Sequence, residues 1–294
     1  MYTYEYKTLH ELVALAGKHH LSLSEIVVRH EMETSEQTEE KVRGVMASRL
    51  QVFHESIEAG LQDQGKSVSG LVGGDAYKML QSPAKLLGSL SRKAAIYALA
   101  VSEANAKMFK IVACPTAGSC GIVPAVMTAV AEEIGTDQKV SVNALFTAAG
   151  IGAVVSRNAS VAGAVGGCQA ECGTAAAMAA AAAAEMAGGT NDEIINAFAL
   201  CMKNTLGLAC DPVAGLVEVP CVKRNACYAV MAVSAAEMAL AGIRSVIPPD
   251  EVIEAMAEIG RIMPVALKET SDGGLARTAT GKAIAARLEQ DMQE

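Results

Sequence analysis

The sequence predicts an all-α fold: a single large helical domain built around an alanine-rich central helix. Three observations point there. Apolar residues make up 51% of the 294, yet aromatics make up only 3% and tryptophan is absent. Alanine and methionine favour helix, whereas sheets lean on aromatic and β-branched residues. The stretch Ala175–Ala184 is a run of alanine interrupted by Met178 alone. A helix of such small side chains can be approached closely on all sides, which suits a central, buried position. Strand signals, finally, are sparse, and Lys110–Cys114 ahead of a turn is the best of them.

Taken in order, residues 1–65 read as an N-terminal helical segment rich in Glu, Lys, Arg and His. Thr8 is placed to cap a first helix carrying Leu9, Leu12, Val13 and Ala16 at helical spacing. A second helix is expected from Ser22 or Ser24 through His30, and a third from about Glu36 to Leu61, ended by Gly60 or Gly65. The Gly65–Gly74 stretch, GKSVSGLVGG, reads as a linker or as a loop closing over a ligand. Residues 66–294 form the main body, against which the first 65 residues are expected to pack as part of one folding unit. Pro248-Pro249-Asp250 ends one helix and starts another, with Asp250 suited to the N-cap. Lys268–Gly281 is a Gly/Thr-rich turn before a short final helix.

Composition excludes several function classes. A net charge of −8 provides no basic face for nucleic acid. Residues 1–10 lack the basic and apolar regions of a signal peptide. Val161–Ala187 and Ala226–Gly242 are apolar enough to raise the membrane question. The first contains Gln169 and Glu171 and the second Glu237, so both read as core helices. A cytoplasmic protein is expected, and its eight cysteines should be free thiols or metal ligands rather than disulfides.

All five histidines lie in the N-terminal segment, so a metal site in the apolar body must draw on Cys, Asp or Glu. Three segments stand out. In Ala113–Pro124, ACPTAGSCGIVP, the N–H groups and hydroxyls of a tight turn can converge on an anion, although an ordinary Pro-Gly turn fits equally well. In Asn158–Gly173, NASVAGAVGGCQAECG, glycines crowd Cys168, and Cys172 follows four residues later on the same helical face. In Leu208–Asn225, LACDPVAGLVEVPCVKRN, Cys210 precedes Asp-Pro and Cys221 follows a proline, each at a rigid turn. Cysteines in such turns resemble metal ligands more than core filler.

These segments, with KETSDGGLA and SVSGLVGGDA, resemble the bacterial iron–sulfur L-serine dehydratases over nearly the whole chain, specifically the alpha subunit of the two-subunit type. The resemblance implies that residues 66–294 are a catalytic iron–sulfur domain in which Cys168, Cys210 and Cys221 hold a [4Fe–4S] cluster. Its fourth iron would stay open to act on the substrate hydroxyl as a Lewis acid. Thr116, Ala117, Gly118 and Ser119 are the implied contacts to the substrate carboxylate, and Asn158, which opens the NAS motif, joins them as a substrate-binding candidate. Lys268, Glu171, Asp211 or a group on a partner subunit could serve as the base, and of these Lys268 is taken forward. A separate beta subunit is implied, because the small domain that single-chain members carry in front has no counterpart here. In single-chain members a C-terminal cysteine can cap the open iron; this sequence ends Asp291-Met292-Gln293-Glu294, so no such cap is expected.

Other readings stay in play. The same cluster chemistry could act on cysteine or threonine. A structural zinc site would call for paired C-x-x-C spacing, which is absent. A non-catalytic metal-binding or scaffold subunit, and a pyridoxal-phosphate enzyme, are the remaining alternatives. Cys114, Cys120, Cys172, Cys201 and Cys227 are expected to be structural. Serine at Cys168, Cys210 or Cys221 should therefore abolish the visible absorption of anaerobically prepared protein, whereas Cys201→Ser should leave it intact.

Overall fold

The computed structural model describes residues 2–291. Thirteen helices account for its regular structure: α1 Leu9–His19, α2 Leu23–Ser35, α3 Glu39–Gln62, α4 Asp75–Gln81, α5 Ser89–Ala106, α6 Ile122–Ile134, α7 Gln138–Asn158, α8 Gly163–Gly166, α9 Thr174–Met186, α10 Asn191–Lys203, α11 Cys221–Leu240, α12 Pro249–Ile262 and α13 Ala279–Asp291. There is no strand among the described residues, only a lone bridge pairing Cys210 with Lys268. The all-α expectation holds. The expected strand at Lys110–Cys114 does not form: the segment takes up no regular structure and has no strand beside it to accept its backbone hydrogen bonds.

The alanine run forms α9, and every residue from Thr174 to Ala184 is buried. Helices α6, α7, α10 and α11 pack around it. Small side chains on α9 let these four neighbours approach from all sides. The sequence from Val161 to Ala187 is thus not one long helix but α8, a π-helical turn over Gln169–Gly173, and then α9. By length and apolarity, two other stretches could cross a membrane, Ala117–Ile134 and Gln138–Asn158, and 67% of each lies buried within the fold.

The first three helices lie against this body and share its apolar core, which runs from Leu9 and Phe53 through Ala180 to Met256. Thr8, Ser22 and Thr38 cap α1, α2 and α3 through their hydroxyls. Glu36, expected to open the third helix, instead ends the second in a left-handed conformation. Asp250 departs from expectation in a more informative way. It lies inside the first turn of α12, and its carboxylate reaches across to the Leu9 and His10 N–H groups at 2.8 and 2.9 Å. It therefore caps α1 rather than its own helix, fixing the N-terminal segment to the C-terminal one.

Gly65–Gly74 is an ordered loop. Ser67 and Ser69 donate to Glu218 Oε2 at 2.7 and 2.6 Å, and the buried Glu103 accepts the Gly74 and Asp75 N–H groups. Helices α3 and α5 cross at Gly60, where a Cβ would stand 1.9 Å from the Ala100 carbonyl oxygen. Gly44, on the same helix, has nothing within 4 Å of that position. Alanine should consequently act with opposite sign at the two sites. Gly44→Ala should raise stability by up to about 1 kcal/mol through helix propensity, whereas Gly60→Ala should lower it by about 1–3 kcal/mol through overpacking. Urea unfolding midpoints measure both.

Candidate active site at a cluster of buried thiols

Cys168, Cys172, Cys210 and Cys221 are all buried near the N-terminal end of α9. The π-helical turn follows directly on Cys168 and carries Cys172, and the thiols of Cys172 and Cys210 lie close enough to that of Cys168 to influence its charge. Widened turns of this kind recur at functional sites. Gln169, fully buried, secures the turn from both sides: its Oε1 accepts the Gly207 N–H at 2.9 Å and its Nε2 donates to the Met256 carbonyl at 3.0 Å.

Cys210 is held by the segment that follows Pro264. Its N–H donates to the Leu267 carbonyl and its carbonyl accepts the Glu269 N–H, both at 2.8 Å. The next residue, Asp211, takes Arg224 Nη2 at 2.9 Å on one oxygen and the Leu275 N–H at 2.8 Å on the other. Arg224 Nη1 also donates to the Ala209 carbonyl at 2.9 Å. Cys221 is the first residue of α11, and Arg224 and Asn225 follow one turn later. Asn225 joins this helix to the PTAGS turn. Its Nδ2 donates to the Gly118 and Cys221 carbonyls and its Oδ1 accepts the Gly121 N–H, each at 2.9 Å.

The PTAGS turn faces Glu171. Thr116 Oγ1 donates to Glu171 Oε1 at 2.8 Å and lies 3.1 Å from Ser119 Oγ, which donates to the Cys114 carbonyl. A Cβ at Gly118 would come within 3.1 Å of Glu171 Oε1. On the other side, Cys210 Sγ lies 3.7 Å from Glu171 Oε2. Gly163 closes the wall: a Cβ there would sit 2.7 Å from Glu171 Oε2 and 3.0 Å from Cys210 Sγ. Glu171 is thus packed between the turn and the thiols, and burial pushes its carboxyl up to about 7 against the Thr116 hydrogen bond.

Charge among the thiols settles on one sulfur. Hydrogen bonds from Cys172 and then Cys210 hold the Cys168 thiol well below its ordinary range, with Arg224 adding to the effect. The hydrogen bond to Cys168 and burial push Cys172 and Cys210 upward, and burial followed by the Cys168 charge pushes Cys221 up to about 12. Glu171, Cys210 and Glu269 also place one ligand atom each within 4.8 Å of one another, a spacing that can hold a metal ion.

Of the candidates read from sequence, Cys168, Cys210, Cys221, Thr116, Gly118 and Ser119 come together here. Asn158 lies elsewhere: its amide donates to the Lys7 carbonyl at 2.7 Å and it lines a separate cavity of about 350 Å³ with Glu254 and Arg261. Lys268 contributes backbone beside Cys210, and its ammonium engages no partner among the described residues. Met292–Glu294, bearing on the expected lack of a terminal cap, lie outside the described residues. Cys172, expected to be structural, lies among these thiols, and its i+4 spacing from Cys168 is the sequence signal for that. Cys227, expected to pack between helices, is exposed, while Cys201 is fully buried. The roles of Gln169, Arg224 and Asn225 as fasteners had no sequence signal beyond their places in the motifs.

Comparison with known proteins finds relatives over nearly the whole chain. The sequence model of the family described as "Serine dehydratase alpha chain" matches residues 18–276. A Bacillus subtilis protein named a probable L-serine dehydratase, alpha chain, is 47% identical over 286 residues, covering 96% of this chain and 95% of its own. The alpha chain of an L-serine dehydratase from Peptoniphilus asaccharolyticus is 41% identical, covering 94% of this chain and 96% of its own. A longer L-serine dehydratase of Escherichia coli is 37% identical over 93% of this chain, which spans 61% of that relative.

Asn225 is almost fully buried, and truncating it strands the Gly121 N–H and the Gly118 carbonyl. Asn225→Ala should cost about 2–4 kcal/mol, read from thermal or urea unfolding, and should expose Cys120 and Cys221 to faster thiol labelling.

Proposed function

The chain belongs to the serine dehydratase alpha-chain family, and from that premise we propose that it converts L-serine to pyruvate and ammonia. In this reading it is a cytoplasmic lyase that works with a separate beta chain, a partner suggested by the "alpha chain" in its relatives' names. The cofactor is a [4Fe–4S] cluster held by Cys168, Cys210 and Cys221.

The observation that carries the proposal is the donor set. Soft thiols are buried together, one of them already favoured as thiolate, beside a guanidinium that offsets negative charge. Gly163 lets the backbone pack directly against Cys210 and Glu171, with which a Cβ would collide. A set of soft donors buried in one place suits an inorganic cluster. When bound, the cluster supplies a Lewis-acidic iron that polarises the substrate's β-hydroxyl for departure.

The chain's own residues supply the rest. The PTAGS turn, Thr116 to Ser119, holds the substrate carboxylate with its backbone N–H groups. Glu171 takes the Cα proton on Oε2, the oxygen that Thr116 leaves free. It displaces Lys268 in this role because it lies within the site, and Asp211 is committed to Arg224 and Leu275. Loss of the Cα proton and the β-hydroxyl yields an enamine, which tautomerises and is hydrolysed to pyruvate and ammonia.

Protein purified without air and supplied with iron and sulfide should be coloured, bind iron, and turn over L-serine faster than L-threonine or L-cysteine. An active, iron-free, colourless enzyme would overturn the cofactor, and serine as the slowest substrate would overturn the specificity. Glu171→Gln should lower kcat by about 10²–10⁴-fold with iron content unchanged.

A further inference from the structure

Glu269 has no part in the chemistry above, yet its position is closely determined. One of its carboxylate oxygens lies within 4.8 Å of both a Glu171 oxygen and the Cys210 sulfur. Glu171 and Cys210 are buried, whereas Glu269 is exposed, so it stands on the solvent side of that group. Its N–H is fastened to the Cys210 carbonyl at 2.8 Å, and its φ of +63° is uncommon for a residue other than glycine. The chain turns sharply there and keeps Glu269 beside Cys210.

Two carboxylates this close repel each other unless a cation or a proton comes between them. Arg224 is bound to Asp211 at 2.9 Å, and the ammonium of Lys268, the residue before Glu269, pairs with neither carboxylate among the described residues. No ion pair among the described residues involves Glu269 itself. Among the described residues, then, no cation is paired with either carboxylate.

An α-amino acid brings one. L-serine carries a carboxylate, an ammonium and a β-hydroxyl on two adjacent carbons. The PTAGS turn accounts for the first and the cluster end of the site for the third. The ammonium is left without a partner, as Glu171 is reserved for the Cα proton. We infer that Glu269 binds the substrate's α-ammonium group and thereby selects an amino acid over a plain hydroxy acid; this rests on the functional reading above. An exposed carboxylate at the mouth meets the ammonium first, and the bound cation then relieves its repulsion with Glu171.

The test compares wild type, Glu269→Gln and Glu269→Asp in the cluster-loaded enzyme, together with any chain that co-purifies. Two compounds are used: L-serine, and 3-hydroxypropanoate as a competitive inhibitor that keeps the carboxylate and hydroxyl but lacks the ammonium. Loss of a charged hydrogen bond should raise the KM for L-serine in Glu269→Gln by about 10- to 100-fold. kcat should change less, because the contact is made in ground state and transition state alike. The inhibition constant of 3-hydroxypropanoate should stay the same or fall, and Glu269→Asp should recover part of the loss. Iron content and visible spectrum should match wild type.

An unchanged KM, or equal shifts for the two compounds, would overturn the assignment. So would an altered resting spectrum in Glu269→Gln, which would make Glu269 an iron ligand instead. A wild-type enzyme that binds iron but does not turn over serine would sink the functional reading alone. Calorimetric binding of the same two compounds would then carry the Glu269 comparison.

Discussion

The guanidinium of Arg224 joins the parts of the site that the chain delivers separately. One arm grips Asp211 and the other the Ala209 carbonyl, so the Cys210 loop is tied to the helix that begins at Cys221. Asp211 in turn accepts the Leu275 N–H, which brings in the segment carrying Lys268 and Glu269. The pair is largely buried, and a buried ion pair broken on one side leaves an uncompensated charge costing about 3–5 kcal/mol. The same guanidinium favours the Cys168 thiolate. A single side chain thus couples the geometry of two cysteines to the charge of a third.

That coupling needs a rigid platform, and α9 provides it. Its alanines bring α6, α7, α10 and α11 close, and these helices deliver the elements around the thiols. The PTAGS turn runs into α6, the Asn158 end of α7 leads to Gly163, and α11 starts at Cys221. The π-helical turn at the head of α9 departs from regular helix, and it begins just after Cys168 and contains Cys172. Regular packing positions the site, and the local irregularity provides room for its chemistry.

The site divides between dry and wet sides. Glu171 and the thiols lie in the interior, where charge is costly and settles on the best-stabilised atom. Glu269 stands at the rim. A substrate with charges of both signs suits such a gradient, since each group finds an opposite partner without a free ion being buried.

Much of this was legible in the sequence, because it depends on forces acting over a few residues. Helix propensity in the alanine run, hydroxyl caps at Thr8 and Ser22, and proline and glycine turns around Cys210 and Cys221 all act locally. These determined the helical class, most helix starts, and which cysteines stand in turns. What the tertiary structure decided are partnerships between distant residues. Asp250 reads as a cap for its own helix, yet it caps a helix whose first residue lies 241 positions earlier. Lys110–Cys114 has strand composition but no neighbouring strand to pair with. Cys172 reads as structural until the fold brings it among the other thiols, and Glu269, which no sequence motif singles out, is pinned to Cys210 by its backbone. Composition and spacing specify what each segment tends to do alone. Which buried hydrogen bonds and charges meet is set only when the helices pack, because an unpaired polar group then has no water to turn to.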